Sequence, residues 1–416
     1  MDSVIVIGAS HAGVACADAL RRNGFAGRLS VIDCGTDLPM ERPPLSKAFL
    51  LADPEVGSAD EGGFLLRRAS WYQDNDIDLR LGVTVTAIDA AARHVVLPDE
   101  TLPYDALVLA TGATARQLPA AAGLDGVHLL RTPDDAIHLR RVMGTAASAI
   151  IIGGGYIGLE AAASLCKAGK NVHVIEAADR LLARVASPQI SAFFDALHRD
   201  HGVQLHTGTT LAAIDSVDDA FTGVRLADGS TLTADLLLVG IGVQPDMRLA
   251  EAAGLACGNG ILVGADMQTS HPGIYAIGDV ALADETAPQI NATPIRVESV
   301  HNAQDSAARA AAALTDTAPP ARQAPWFWSE QFDARLQSAG IVPPAGNGVQ
   351  QVTRPGKRDG GHSVWSYDAG RLCAVEAVRD TAGYMMGKRC LEAGLSPHPA
   401  DVANPDFDLK SYLARQ

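Results

Sequence analysis

Two short stretches of this 416-residue sequence hold small residues at spacings that could serve chemistry. One is Gly8-Ala9-Ser10-His11-Ala12-Gly13 and the other is Gly153-Gly154-Gly155-Tyr156-Ile157-Gly158. In a strand–turn–helix unit the first glycine permits the tight turn. The middle position lets the backbone approach a pyrophosphate, and the third lets the helix pack closely on the strand. The amides at the helix start then face the anion. The second stretch has glycine at all three places. The first has Ser10 in the middle, small enough to keep the approach, and His11 at the helix start as a bystander. An apolar run follows each stretch and ends near an acid, Asp33 in one case and Glu176 in the other. A carboxylate there accepts hydrogen bonds from ribose hydroxyls and repels a 2′-phosphate. Glu176 therefore favours NAD over NADP, although Arg180 and Arg184 nearby keep NADP in play. Two such units argue for two dinucleotides. The usual pair is FAD and NAD(P)H, because a flavin takes a hydride and releases electrons singly. Ala110-Thr111-Gly112 and the run Gly273–Ala281 strengthen this. Asp279 at a strand end can bind the polyol chain of FAD, and Gly278 lets the backbone come near.

The strands and helices around these residues are legible as a repeated plan. Residues 3–34 and 148–177 each read as an apolar strand, a turn, an amphipathic helix and a second apolar strand, a βαβ unit with strands buried on both faces. A meander of short strands follows each, over 78–113 and 203–245, and Asp228-Gly229 marks a hairpin. A long Ala-rich helix is expected from Val297 to Leu314. The Pro-rich stretch 316–325 reads as a linker. Beyond it lie short strands around 349–378 and a helix near 381–394. The predicted fold class is α/β, with two Rossmann-like dinucleotide-binding domains and a small α+β C-terminal domain. The expected divisions are 1–112 with 246–325 for FAD, 113–245 for NAD and 326–416 for the tail.

Composition narrows the function classes. The chain is 47% hydrophobic and 19% charged, as suits a folded soluble protein. Its formal net charge of -15 argues against nucleic acid as a partner. From Pro325 onward basic and acidic residues balance, so the deficit lies in the rest of the chain. The six cysteines form no CxxC pair, which removes a redox-disulfide motif and metal-site spacing and fits a reducing, cytoplasmic setting. No signal peptide is expected ahead of the first strand. The apolar window Ser148–Cys166 contains a glycine run and Glu160, so a strand–turn–helix explains it better than a membrane span.

The stretch Glu41-Arg42-Pro43-Pro44-Leu45-Ser46-Lys47 carries adjacent prolines, which exclude a helix interior or a central strand. Ser46 and Lys47 are expected to open a short helix. In several redox enzymes built on such units a cysteine pair sits near here, and this sequence has none. Trp326, Phe327 and Trp328 are too clustered for all three to be core.

The order of these motifs resembles the FAD-dependent pyridine nucleotide-disulfide reductase superfamily. Within it, the chain is most similar to the NADH-dependent ferredoxin reductases that serve cytochrome P450s and aromatic-ring dioxygenases. The resemblance spans nearly the whole chain and rests on "ERPPLSK", "ATGA", "LRTPDDA", "GGGYIGLEAA", "VIEAADRLLARV", "GIGVQP", "GIYAIGDVA", "RVESVHNAQDSA" and "PWFWS". It implies that Arg42, Lys47 and Arg131 contact FAD, with Lys47 near the flavin ring and Glu160 facing it close to the nicotinamide. It implies Asp279 on the ribityl and pyrophosphate part, and Val297, Glu298, Ser299, Val300 and Trp328 bordering the isoalloxazine. Gly155, Ile157, Glu176 and Gly242 are expected on NAD. Ser10, and Met40 where a tyrosine is common, depart from the family pattern. The implied reaction takes hydride from NADH and passes single electrons to a [2Fe-2S] ferredoxin docked beside Trp328. Arg309, Arg335, Lys357, Arg358, Lys388 and Arg389 are the candidates for a basic docking patch on a monomer or homodimer. Two other readings compete. An NADH oxidase or monodehydroascorbate-type reductase would use another acceptor, and such an oxidase carries a redox-active cysteine where Arg42 stands. A flavoprotein resembling apoptosis-inducing factor would form a long-lived complex with NADH and change size.

Overall fold

The apolar run Ser3–Ile7 is buried along its whole length, as a strand covered on both faces must be. The computed structural model describes residues 1–52, 63–283, 289–290, 293–321, 323–344, 346 and 348–415. It divides into two compact units. The first comprises Met1–Glu41, Glu55–Thr114 and Val243–Arg322; the second comprises Arg42–Pro54, Ala115–Gly242 and Gln323–Gln416.

In the first unit a five-stranded sheet has the order Ile274–Ala276, Ala106–Leu109, Ser3–Ile7, Arg28–Ile32, Ile77–Arg80, and its pairings are parallel. The helices His11–Arg22 and Val300–Leu314 pack together. The apolar face of the first, with Val14, Cys16, Ala17 and Leu20, is buried. Only part of the 78–113 stretch is a meander. Its first run, Ile77–Arg80, extends the parallel sheet, and Ala87–Asp89, His94–Val96 and Thr101–Pro103 form a separate three-stranded antiparallel sheet. The Ala-rich helix begins at Val300, three residues later than the sequence suggests. Ser299 stops it there, because its side chain accepts a hydrogen bond from the Asn302 amide as an N-cap.

The second unit repeats the plan. Its parallel sheet has the order Gln204–Thr207, Asn171–Glu176, Ser148–Ile152, Leu236–Val239, Val127–His128. The apolar window at 148–166 is the strand Ser148–Ile152, a turn and the helix Tyr156–Lys167. Among the described residues no helix is long and apolar enough to cross a membrane. The hairpin at Asp228-Gly229 joins Ala220–Leu226 to Thr231–Thr233, with Gly229 at φ +87. The tail adds a five-stranded antiparallel sheet in the order Trp326–Gln331, Ala334–Gly340, Arg371–Val378, His362–Asp368, Val349–Pro355. The helix Thr381–Glu392 lies on it so closely that a Cβ at Gly387 would strike the Val375 side chain. Trp365 and Tyr367 are fully buried beneath it. The Arg354 guanidinium donates to the carbonyls of Val402, Asn404, Pro405 and Phe407 and ties the C-terminal segment to the sheet.

Candidate functional site

In the first unit Gly8 follows the strand Ser3–Ile7 at φ +105, a conformation costly for any residue with a Cβ. A Cβ at Gly8 would also overlap the Ala110 carbonyl, and one at Gly13 would overlap the Gly8 carbonyl. The turn is therefore closed from both sides by backbone. Ser10 is the N-cap residue at φ -91 and supplies no side-chain cap to the helix. Asp33 ends the second strand. One of its oxygens accepts from the Ala9 amide at 2.6 Å, and the other from Gly35 at 2.7 Å. Gly278, at φ +71, brings its backbone to the Ala12 side chain. Its amide donates to Ser306 Oγ at 2.9 Å. The carbonyl of Asp279 accepts from Arg296, which also pairs with Glu298 at 2.6 Å. Thr111 Oγ1 donates to the Asp246 carbonyl, and the Asp246 amide donates to the Gly112 carbonyl, so the turn after Ala110 is held at both ends.

The second unit reproduces this cradle residue for residue. Gly153 stands at φ +108 with the Gly240 carbonyl where a Cβ would go, and Gly158 abuts the Gly153 carbonyl. Gly155 is the N-cap residue at φ -81 with open space around its missing side chain. Glu176 Oε2 accepts from the Gly154 amide at 2.7 Å, and Oε1 from the Ala178 amide at 2.8 Å. Ile157 is 46% exposed beside this turn. Gly242, at φ +102, lies next to the exposed Arg184 guanidinium. Arg180 does not share that position. Its guanidinium is spent on the Ala183 and Ala186 carbonyls and Ser191 Oγ, so it braces the loop instead of meeting a phosphate. Both cradles fit a pyrophosphate by the same test. The positions that must hold no side chain are filled by backbone, the middle positions have the ordinary φ that serine or glycine adopts, and neither helix start is capped by its N-cap side chain.

The Pro-Pro stretch belongs to the second unit. Pro43–Ser46 forms a single 3-10 turn, and Lys47 breaks it at φ -130, ψ -107 before the short helix Ala48–Leu51. Ser46 ends the 3-10 turn, and Lys47 is both its C-cap and the N-cap of the short helix that follows, its carbonyl accepting from the Leu51 amide. The break aims Lys47 inward. Its Nζ meets Glu160 Oε2 at 2.5 Å, with Glu160 on the helix Tyr156–Lys167. The Ser46 hydroxyl donates to the same oxygen, and the Ser329 hydroxyl donates to Oε1 at 2.7 Å. Glu160 is 2% exposed, so these three donors replace the water its charge would otherwise need. Arg42 Nη1 donates to the Arg131 carbonyl at 2.7 Å. Arg131 precedes a capping box in which the Thr132 side chain and Asp135 satisfy each other's backbone amides.

The three clustered aromatics are all half-buried. Strand alternation separates them. Phe327 turns to the Tyr156 ring at 4.4 Å, and Trp326 and Trp328 share the other face at 5.5 Å. The Lys388 ammonium lies over the Trp326 ring. Of the expected basic docking residues, Arg309, Arg335 and Lys388 are ion-paired with Asp305, Glu330 and Glu392, so their charges are locally cancelled.

Several residues at this centre escaped the sequence reading: Ser46, Ser329, Gln331, His198 and Glu376. Glu376 is fully buried in the tail sheet, both its oxygens accept from the Ser187 amide, and the Ser187 side chain bonds it as well. Burial pushes its carboxyl up to about 7, against the smaller opposing pull of the Ser187 bonds and Arg180. A folded-state value above the unfolded one means that the native state holds the extra proton. Stability is therefore fullest below about 4.5 and falls as pH rises to about 7. Glu376→Gln should remove that slope and stabilise the protein above neutrality by on the order of 3 kcal/mol. Urea midpoints at acid and alkaline pH check this. An unchanged slope in the variant would count against it.

A family model for pyridine nucleotide-disulphide oxidoreductases matches residues 2–307, and one for the reductase C-terminal domain matches 326–413. A ferredoxin–NAD(P)(+) reductase from Sphingomonas sp. is 41% identical, over 99% of this chain and 97% of that one. Among solved structures, the ferredoxin reductase for the CYP199A2 system from Rhodopseudomonas palustris has a TM-score of 0.92 at 38% identity, covering 99% of this chain and 100% of the other. The covalent putidaredoxin reductase–putidaredoxin complex also has a TM-score of 0.92, at 36% identity, covering 100% of this chain and 98% of that one. FAD and a nicotinamide dinucleotide are the cofactors of the family. Two pyrophosphate cradles, the absence of cysteine at Arg42–Lys47 and these matches lead to one conclusion: the chain belongs to the pyridine nucleotide-disulphide oxidoreductases and, within them, to the ferredoxin reductases.

Proposed function

We propose that this protein takes hydride from NADH and delivers single electrons to a [2Fe-2S] ferredoxin that serves a cytochrome P450 or a ring-hydroxylating dioxygenase in the cytoplasm. The observation that carries the reading is the ion pair between Lys47 and the buried Glu160 of the second cradle's helix, at a stretch with no cysteine to relay electrons. Bound FAD would supply a two-electron hydride acceptor that releases electrons one at a time. In this reading Gly8, Ser10, His11, Ala12, Gly13, Asp33, Ala110, Thr111, Gly112, Gly278 and Asp279 hold it within a domain formed by 1–112 and 246–325. Gly153, Gly155, Tyr156, Ile157, Gly158, Glu176, Arg184 and Gly242 hold NADH within 113–245. Lys47 offers a cation to the flavin, and Glu160 balances that charge so that the site is not over-positive. No side chain need move a proton from carbon; positioning supplies the rate. Preference for NADH rests on Glu176, whose carboxylate is fixed by two amides at the ribose end of the cradle.

The tail, 326–416, presents Trp326 and Trp328 for partner docking. No ion pair forms at Lys357, Arg358 or Arg389 among the described residues, so these remain as the cations for an acidic ferredoxin. Side-by-side reduction assays of [2Fe-2S] ferredoxins with NADH and NADPH test the proposal. We expect NADH-driven ferredoxin reduction that slows as salt is raised, with NADPH the poorer donor. Turnover with oxygen alone at the ferredoxin rate would overturn it in favour of an oxidase. An NADH-induced change in molecular size without turnover would favour a sensor.

A further inference from the structure

Beyond Glu160 a line of buried polar groups continues for three residues. Gln331 Nε2 donates to Ser329 Oγ at 3.1 Å, and Gln331 Oε1 lies 2.8 Å from His198 Nε2. Ser329, Gln331 and His198 are all buried. Their hydrogen bonds can run in only one direction while Glu160 is ionised. A carboxylate accepts but cannot donate, so the Ser329 hydroxyl must point at it. Ser329 then accepts, which requires the Gln331 amide nitrogen to face it. The Gln331 oxygen is left for His198, which must carry its proton on Nε2. His198 Nδ1 is correspondingly bare, and it has no hydrogen-bond partner among the described residues.

We propose that His198, Gln331 and Ser329 are positioning residues that hold Glu160 ionised and oriented toward Lys47 through this one-way chain. The inference rests on the proposed role of the Lys47–Glu160 pair. Glu160 Oε1 already accepts from Ser329, and Oε2 from Lys47 and Ser46, so a proton on either oxygen would meet a donor aimed at it. A proton on Oε1 would face the Ser329 hydroxyl hydrogen, which gives way only by losing its acceptor or by reversing the Gln331 and His198 bonds, with the His198 proton then on Nδ1 and buried without an acceptor. Phe332 packs edge-on against the His198 ring at 5.0 Å and stacks on His201 at 3.8 Å. Phe332 itself sits at φ +53, an unusual conformation for a bulky residue, at the hairpin tip that delivers Ser329 and Gln331. Burial keeps His198 neutral, its pKa pulled down to about 4 despite the Gln331 bond, with His201 opposing and Asp195 favouring its charge. The ionisable groups that act on this site with Glu160 are Lys47 and the Tyr156 phenol, which is pushed up chiefly by burial and further by the charges of Glu376 and Glu160.

The test uses the flavin-loaded enzyme. The Glu160 carboxyl stretch is titrated by infrared difference spectroscopy, with Glu160→Gln as the subtracted reference. Gln331→Met keeps volume but makes neither bond, and Ser329→Ala removes the donor. Each should raise the protonation midpoint of Glu160 by about one pH unit, a tenfold change in its protonation constant. Ser329→Thr should restore it, and His198→Leu should raise it less. The acid limb of kcat for NADH oxidation with an artificial acceptor should move with the midpoint while KM for NADH stays fixed. An unmoved midpoint in both folded variants, or in Ser329→Ala alone if Gln331→Met does not fold, overturns the proposal. A moved midpoint with an unmoved acid limb upholds the chain of hydrogen bonds and counts against the role given to Glu160.

Discussion

Glu160→Ala should slow flavin reduction by NADH by roughly a hundredfold, the scale on which loss of one preorganised electrostatic partner in a dry site is felt. The substitution leaves Lys47 Nζ and the hydroxyls of Ser46 and Ser329 aimed at an empty volume. Breaking a buried pair by removing one member costs about 3–5 kcal/mol where the other stays buried and charged. Lys47 is 18% exposed and can turn to water, so the stability loss should fall at about 1–3 kcal/mol. Glu160→Gln separates the two effects. It keeps the volume and an acceptor for Ser329, and should recover most of the stability without recovering the rate. Stopped-flow flavin bleaching against NADH, paired with thermal melts, reads both. A wild-type reduction rate in a folded Glu160→Ala enzyme would reduce the pair to architecture.

Adding one methyl group to the first glycine of either cradle should have effects as large, and the two should differ in kind. Gly8→Ala places a Cβ at φ +105 against the Ala110 carbonyl, and Gly153→Ala places one at φ +108 against the Gly240 carbonyl. The backbone strain alone costs about 1–3 kcal/mol. The overlap with backbone just past a buried strand adds to it, for a total above roughly 3 kcal/mol. Gly8→Ala should yield protein with little bound flavin, seen as a collapsed ratio of visible to ultraviolet absorbance. Gly153→Ala should retain flavin and raise KM for NADH by at least about tenfold. The middle position of the first cradle provides the control. Ser10→Gly should leave both properties near wild type, because the residue has an ordinary φ and its side chain does not cap the helix. Loss of flavin from Gly153→Ala with NADH affinity intact would reverse the assignment of the cradles.

These expectations follow from features the sequence states locally. A buried parallel strand is apolar throughout, so Ser3–Ile7 and Ser148–Ile152 announce themselves. A turn that needs positive φ needs glycine, so Gly8 and Gly153 do too. The acids Asp33 and Glu176 were legible for the same reason, since a strand of fixed length places its end beside the turn. Element ends were less legible. Whether the Ala-rich helix starts at Val297 or Val300 depends on the Ser299 cap, and several nearby residues could have served. Arg180 looked like a phosphate ligand by proximity in sequence, but its donors are taken by loop carbonyls that only the folded chain brings around it.

The two glycine turns, their order, the change of character after the Pro-rich stretch and the lack of a cysteine relay are all readable from residues a few positions apart, where covalent geometry limits what can meet. What surrounds Glu160 is set by the folded chain alone. Ser329 is 169 residues away in the chain, Lys47 is 113, and Gln331 meets His198 across 133. Serine, glutamine and histidine carry no pattern that marks such meetings, since as residue types they serve equally on a surface. What turned them into one centre is burial. Once the tail strand covered the helix, a carboxylate out of reach of water had to be met by donors, and the fold supplied them from wherever the chain happened to pass.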